Sequence, residues 1–189
     1  SVTLDQRTGL LEGVVHIVSP NHDERPNQDA VTAIILHSIS LPPGDYASAA
    51  DEDHPVSRFF TNTLDLHEHP YYEFLKGIQV SAHLFIRRTG RVLQFVPLNK
   101  RAWHAGESFC QGRACVNDFS IGIELEGWDE SDDGFTQSQY KSLSRVLSSI
   151  IEAMPQLSFE SLFAHSDIAP GRKTDPGPYF DWEQILTSV

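Results

Sequence analysis

Basic residues are scarce in this chain. Fourteen lysines and arginines face 26 aspartates and glutamates, a formal charge of −12 over 189 residues. Affinity for nucleic acid rests largely on clustered Lys and Arg that neutralise phosphates, so this balance argues against a nucleic-acid partner. The densest basic stretch, Arg87-Arg88-Thr89-Gly90-Arg91, reads as a hairpin turn. Long apolar runs are lacking as well, and none approaches the ~18 residues that a membrane-spanning helix needs. The opening residues, Ser1-Val2-Thr3-Leu4-Asp5, have no basic stretch leading into an apolar core, so a signal peptide is not expected there. The expectation is a cytoplasmic protein with no membrane partner. Cysteine is also rare. Cys110 and Cys115 are the two in the chain, in one loop-like stretch. Two cannot build a disulfide framework, and no second pair completes a thiolate zinc site. Free thiols are the favoured reading, and a local bridge is the alternative.

What is present fits an ordinary globular domain. The hydrophobic fraction is 40% and the charged fraction 21%. The length fits a single domain over 1–189, large enough to bury a sizeable core. Val31 to Leu36 is an apolar run without helical gaps and reads as a buried strand ending at His37. Pro42-Pro43-Gly44 then takes the chain into a loop. Val80 to Ile86 and Val92 to Val96 read as a hairpin around the basic turn. Phe119 to Glu126 alternates, with Ile121, Ile123 and Leu125 on one face and Gly122, Glu124 and Glu126 on the other. Thr136 to Met154 is the clearest helix: its apolar residues recur at spacings of three and four, Thr136 and Gln139 fit a capping box, and Pro155 stops the run. Weaker helical pattern covers Val56 to Leu64, and Asp181 to Leu186 reads as a short closing helix. Strands mixed with helices predict an α/β (α+β) domain, one mixed sheet flanked by helices.

Nine histidines are present, and most need no function. His37 stands out because a strand delivers it to a Pro/Gly-rich loop, where sites in α/β proteins assemble. His165 stands out because it opens a segment with two Pro/Gly clusters, read as a shaped loop, that also holds Asp167, Lys173 and Asp175. Two histidines and one carboxylate make a sound catalytic zinc set with a position left for water. Glu124 can then serve as base and Lys173 as the cation for an oxyanion. No His-Glu-x-x-His pair occurs, so the common zinc-protease motif is absent. His67-Glu68-His69 reads as a polar loop, and His83 as a hydrogen-bonded structural residue.

Several segments, in this order, carry a resemblance: Ser19-Pro20-Asn21, His37 to Gly44, Val80 to His83, Arg101 to Gly106, Asn117 to Gly127 and Arg172 to Gly177. The chain, from about Val15 to Trp182, resembles the type 2 N-acetylmuramoyl-L-alanine amidases, which are related to peptidoglycan recognition proteins. The resemblance implies one zinc ion held by His37, His165 and Asp175, with Glu124 as base and Lys173 stabilising the tetrahedral intermediate. The resemblance also implies that Asp as third ligand is typical of the cytosolic recycling branch, whereas many relatives in the wider superfamily have Cys at that position. The implied substrate is a small molecule, an anhydromuropeptide cut at its lactyl amide during cell-wall recycling, with an indirect effect on β-lactamase induction. Trp103 and His104 are candidates for a wall against the anhydro sugar, although Trp103 fits a core position too. Tyr71 is a candidate for the groove rim and Ser38 for a substrate contact. A monomer is expected. The chain departs from the family pattern at Ser38, at Gln79 and around Ala114-Cys115-Val116, positions that bear on how the stem peptide is held.

Overall fold

A computed structural model describes residues 2–186 of the chain. The chain opens on an antiparallel ribbon of β1 (Thr3–Asp5) and β2 (Leu10–Glu12), which packs on the long helix described below. β3 (Val15–His16) then joins the edge of the main sheet, and β4 (His22–Asp23) leads into the first central strand, β5 (Ala33–Ile39). A loop and the short helix α1 (Pro55–Phe60) follow. Next come the hairpin of β6 (Leu84–Ile86) and β7 (Val92–Gln94), and then β8 (Arg101–Ala102), which pairs with β4. A small hairpin of β9 (Phe109–Cys110) and β10 (Arg113–Ala114) precedes the second central strand, β11 (Ser120–Glu126). The helix α2 (Gln137–Ala153), strand β12 (Leu162–Ala164), one turn of helix α3 (His165–Ile168) and α4 (Glu183–Leu186) complete the order.

Six strands make the main sheet in the order β12-β5-β11-β6-β7-β3. The pairs β12–β5, β5–β11, β11–β6 and β7–β3 are parallel, and β6–β7 is antiparallel, so the sheet is mixed as expected. Alternation along the strands gives the sheet two differently used faces. One face carries Ile34 and Leu36 of β5, Ile121, Ile123 and Leu125 of β11, and Leu84 and Ile86 of β6. These pack under Leu143, Val146, Leu147 and Ile150 of α2, and Phe180 and Ile185 close the same core. Burying such a Leu or Ile side chain contributes roughly 1.5–3 kcal/mol, so this layer supplies most of the drive for folding. The opposite face carries two smaller apolar clusters, one around Phe85, Phe59 and Phe60 and one around Ile35, Phe119 and Ile168. Ile35, His37, Gly122 and Glu124 lie on this second face, and the polar residues among them form its floor.

Helix α2 starts where its side chains dictate. Thr136 Oγ1 accepts from the Gln139 N–H at 3.1 Å, and Gln139 Oε1 accepts from the Thr136 N–H at 2.9 Å. The same Gln139 donates through Nε2 to the carbonyls of Ile86 and Glu126, pinning the helix start to the ends of β6 and β11. Gly90 turns the β6–β7 hairpin at φ +87, and a side chain there would run into the Ser138 carbonyl.

Three expectations shift. The first strand begins at Ala33, two residues late, and runs on past His37 to Ile39, because β11 pairs with it along its whole length. The hairpin strands are shorter than their apolar runs, and Val80 falls in the loop before β6. The segment after Ala164 is not all loop. His165–Ile168 forms one helical turn, with the Asp167 carboxylate accepting from the Ala164 N–H at 2.8 Å. No helix among the described residues is long and apolar enough to cross a membrane.

Candidate metal centre

Register alone brings the key side chains together. Glu124 of β11 stands opposite His37 of β5. Ala164, the last residue of β12, stands opposite Leu36, so the next residue, His165, arrives level with His37. Three adjacent parallel strands therefore present His165, His37 and Glu124 in a row near their carboxyl ends, where open α/β sheets place ligands. Asp175 comes from the loop beyond α3. Its placement is fixed by backbone donors: the Ser38 N–H reaches Asp175 Oδ2 at 3.3 Å, and the Ser166 N–H reaches the Asp175 carbonyl at 3.1 Å.

The donor atoms converge. His37 Nδ1 and His165 Nδ1 are 2.9 Å apart. Asp175 Oδ1 is 3.2 Å from His165 Nδ1, and Asp175 Oδ2 is 3.4 Å from His37 Nδ1. These three are the one His/Cys/Asp/Glu group among the described residues whose ligand atoms all lie within 4.8 Å of one another. His165 Nε2 lies 3.0 Å from the Ala105 carbonyl, which can only accept. That nitrogen therefore carries the proton, and the Nδ1 lone pair of a neutral His165 points at the common centre. Burial pushes the His37 ring down to about 4 and so favours its neutral form. Burial raises the Asp175 carboxyl, but hydrogen bonds from His165 and His37 outweigh this and hold it well below the usual carboxylate range. Two imidazole nitrogens and one carboxylate are a donor set that zinc accepts.

Glu124 is 9% exposed, and its Oε1 has no hydrogen-bond partner. Burial, reinforced by the like charge of Asp175 and opposed by Lys173, raises its carboxyl well above the ordinary value. An unpaired buried carboxylate is costly unless a ligand or a reaction uses it. Glu124 lies beside the three convergent donors, where it can take or give a proton.

A groove of about 600 Å3 opens over these residues. Tyr71, Ile78 and Trp103 form part of its apolar wall, and Ser38, Lys173 and Thr174 part of its polar wall. Trp103 is half-buried and lines this groove. Tyr71 stands on the short turn of helix Pro70–Leu75 at the rim. Lys173 is exposed on the Asp175 loop.

His104 is among the residues that line this groove, largely buried at its floor. Its ring lies behind His37, 8% exposed, with Nδ1 at 2.9 Å from His37 Nε2 and Nε2 at 3.0 Å from Ser120 Oγ. Both ring nitrogens are engaged, so the ring offers none to a substrate. His83 is structural as read: its Nδ1 accepts from the Gly122 N–H, and its Nε2 meets the Lys100 carbonyl. In His67-Glu68-His69, the Glu68 and His69 side chains are used otherwise. Glu68 pairs with Arg58, and His69 caps the turn of helix that follows. Cys110 is buried and Cys115 exposed, both free.

Sequence reasoning missed the supports of the site. Asn117 Oδ1 accepts from the His104 and Ala105 N–H groups, and Arg25, itself buried, donates to the Asn117 carbonyl. Arg172 donates to the carbonyls of Ala105 and Glu107. These groups are far apart in sequence, and no local pattern signals their meeting. Gly122, inside a strand, was the one available hint of a close approach.

This architecture defines an α/β protein whose candidate metal centre sits in a groove at the carboxyl ends of parallel strands. Residues 27–178 match the family model described as N-acetylmuramoyl-L-alanine amidase. The 1,6-anhydro-N-acetylmuramyl-L-alanine amidase AmpD of Escherichia coli (strain K12) is 45% identical over 181 residues, covering 96% of this chain and 94% of its own. A crystal structure of a Se-Met AmpD derivative superposes with a TM-score of 0.89 at 42% identity, covering 97% of both chains. The N-acetylmuramyl-L-alanine amidase AmiD from E. coli, solved in complex with the substrate anhydro-N-acetylmuramic acid-L-Ala-D-gamma-Glu-L-Lys, superposes with a TM-score of 0.58 at 27% identity, covering 98% of this chain and 65% of that one. The chain belongs to the N-acetylmuramoyl-L-alanine amidase family, and it is an amidase.

Proposed function

We propose that this amidase is zinc-dependent and hydrolyses the amide between the lactyl group of 1,6-anhydro-N-acetylmuramic acid and L-alanine, as a monomer in the cytoplasm, during recycling of cell-wall fragments. By removing such fragments it would also restrain β-lactamase induction indirectly. The convergence of His37, His165 and Asp175 beside an unpartnered Glu124 carries the chemical half of the reading. Near-full-length similarity to 1,6-anhydro-N-acetylmuramyl-L-alanine amidases supports the substrate half.

His37, His165 and Asp175 would hold the zinc ion. When bound, zinc supplies Lewis-acid polarisation of the amide carbonyl and makes water more acidic. Glu124 receives the proton of the attacking water at its free Oε1 and delivers it to the leaving amine of L-alanine. Burial and the nearby Asp175 raise its proton affinity, the direction that its later acid step requires. Lys173 contributes positive charge where the oxyanion develops, and such fixed charge is usually the largest single catalytic effect. Trp103 and Tyr71 offer aromatic surface to the sugar, and the polar side near Ser38 faces the peptide.

Incubation with anhydromuramyl tripeptide, with and without a chelator and read by mass spectrometry, tests the reading. Free tripeptide that vanishes on chelation and returns with zinc is the expected result. Intact substrate in the presence of bound zinc would sink the proposed substrate.

A further inference from the structure

Strand β11 carries one glycine, Gly122, at its third position. Gly122 is not at a turn. A Cβ built there would lie 2.4 Å from His104 Cγ and 2.6 Å from its Nδ1. The strand has no side chain at this point, and one imidazole packs against its backbone there. That imidazole is then held from several sides. Asn117 fixes its backbone N–H at 3.1 Å, Ser120 Oγ meets its Nε2, and His37 Nε2 meets its Nδ1.

We propose that His104 is a positioning residue for the metal centre: its Nδ1 accepts the Nε2–H of His37, and Ser120 Oγ accepts its own Nε2–H, so that His37 must present an unprotonated Nδ1 to the metal. The inference rests on the zinc reading above.

The logic is one of directions. Each neutral imidazole has one donor and one acceptor nitrogen. A row of His37, His104 and Ser120 can therefore run in two ways. Run from Ser120 toward Asp175, it protonates His37 at Nδ1 and blocks the metal-binding lone pair. Run the other way, His37 donates through Nε2, His104 donates through Nε2, and Ser120 is the terminal acceptor. Only this second direction leaves a ligand nitrogen at the centre. His165 solves the same problem with a backbone carbonyl, that of Ala105, which has a fixed polarity. His37 has no carbonyl behind it in the described contacts, only His104. Outer partners of this kind typically alter metal affinity about 10- to 100-fold. His104 is well placed for the task because it is buried and both of its ring nitrogens have partners.

Two variants of nearly equal shape separate this role from simple packing. In His104→Asn, the amide oxygen replaces Nδ1 as an acceptor. His104→Leu has the same branching and no acceptor. Zinc affinity is measured by competition with a chromophoric chelator. The expected result is that H104N stays within a few-fold of the wild type, and H104L weakens about 10- to 100-fold. Equal affinities in H104N and H104L, with the wild type binding zinc, would overturn the inference and leave the zinc reading standing. A wild-type chain that binds no zinc overturns both. A second measurement needs no variant. In the zinc-loaded wild type, the 15N ring shifts of His104 should show Nε2 protonated and Nδ1 bare, and the reverse tautomer overturns the proposal.

Discussion

Glu124 and His37 face each other in register across β11 and β5, with their side chains on the same side of the sheet. A residue at this position can serve the reaction without holding the metal, because its Oε1 is unpaired and the metal group forms without it. Glu124→Gln keeps the shape and removes the base. We expect kcat to fall about 10²- to 10⁴-fold, with one zinc still bound per chain by metal analysis. Loss of the zinc in a folded E124Q protein would make Glu124 a ligand and remove it as the base.

Asp175 supplies the one negative charge of the proposed ligand set, and it reaches the site on a loop. Asp175→Ala should abolish stable zinc binding and, with it, hydrolysis. A bound ion stabilises the folded chain by mass action, by about 2.7 kcal/mol when its free concentration is 100 times Kd. Chelation should therefore lower the Tm of the wild type, and added zinc should restore it. In D175A neither treatment should move Tm. A zinc-dependent shift that survives in D175A would mean the metal sits elsewhere.

Most of the fold was legible in the sequence, because the apolar periods are strong where packing is two-sided. The α2 helix came out within a residue at each end, since Thr136, Gln139 and Pro155 mark its limits chemically. His37, His165 and Asp175 were legible as metal-type residues in shaped segments, and the structure brings them together. What was hidden depends on register. Nothing local in the sequence says that Ala164 pairs with Leu36, which puts His165 beside His37. Likewise nothing local says that the His104 ring packs on Gly122, where a Cβ would collide with it. Strand ends were misplaced for a related reason: β5 continues to Ile39 because β11 lies beside it, not because its residues change character.

Asp51 holds the far side of the molecule together. Its carboxylate accepts from Arg87 Nη1 at 2.9 Å and from Arg91 Nε at 2.5 Å, joining the turn of helix before α1 to the β6–β7 hairpin. Burial pushes its pKa up, but hydrogen bonds from Arg91 and Arg87 prevail and hold it below the usual carboxylate range. A depressed folded-state pKa means stability that is present above the unfolded value and lost as pH falls through the folded one. Asp51→Asn should cost about 1–2 kcal/mol near neutral pH, the lower part of the scale for hydrogen bonds to a charged partner because Arg91 is half exposed to solvent. The gap between variant and wild type should narrow as the pH drops below the ordinary Asp value. Urea unfolding at pH 7 and in that acid range measures it, and a gap independent of pH would mean the carboxylate charge contributes nothing.

Lys173 is exposed on the loop that also carries Asp175, and its backbone N–H is tied to the Ala169 carbonyl at 3.0 Å. The charge is thus delivered by a short, braced stretch of chain, and it opposes the burial that raises the Glu124 carboxyl. A group that stabilises an oxyanion acts in the transition state more than in the bound substrate. Lys173→Ala should therefore lower kcat about 10²- to 10³-fold, the scale for loss of one oxyanion donor, while KM changes little. Lys173→Arg retains the charge and should recover part of the rate. If K173A instead raises KM and leaves kcat intact, Lys173 only binds the substrate, and the charge that meets the oxyanion must come from elsewhere.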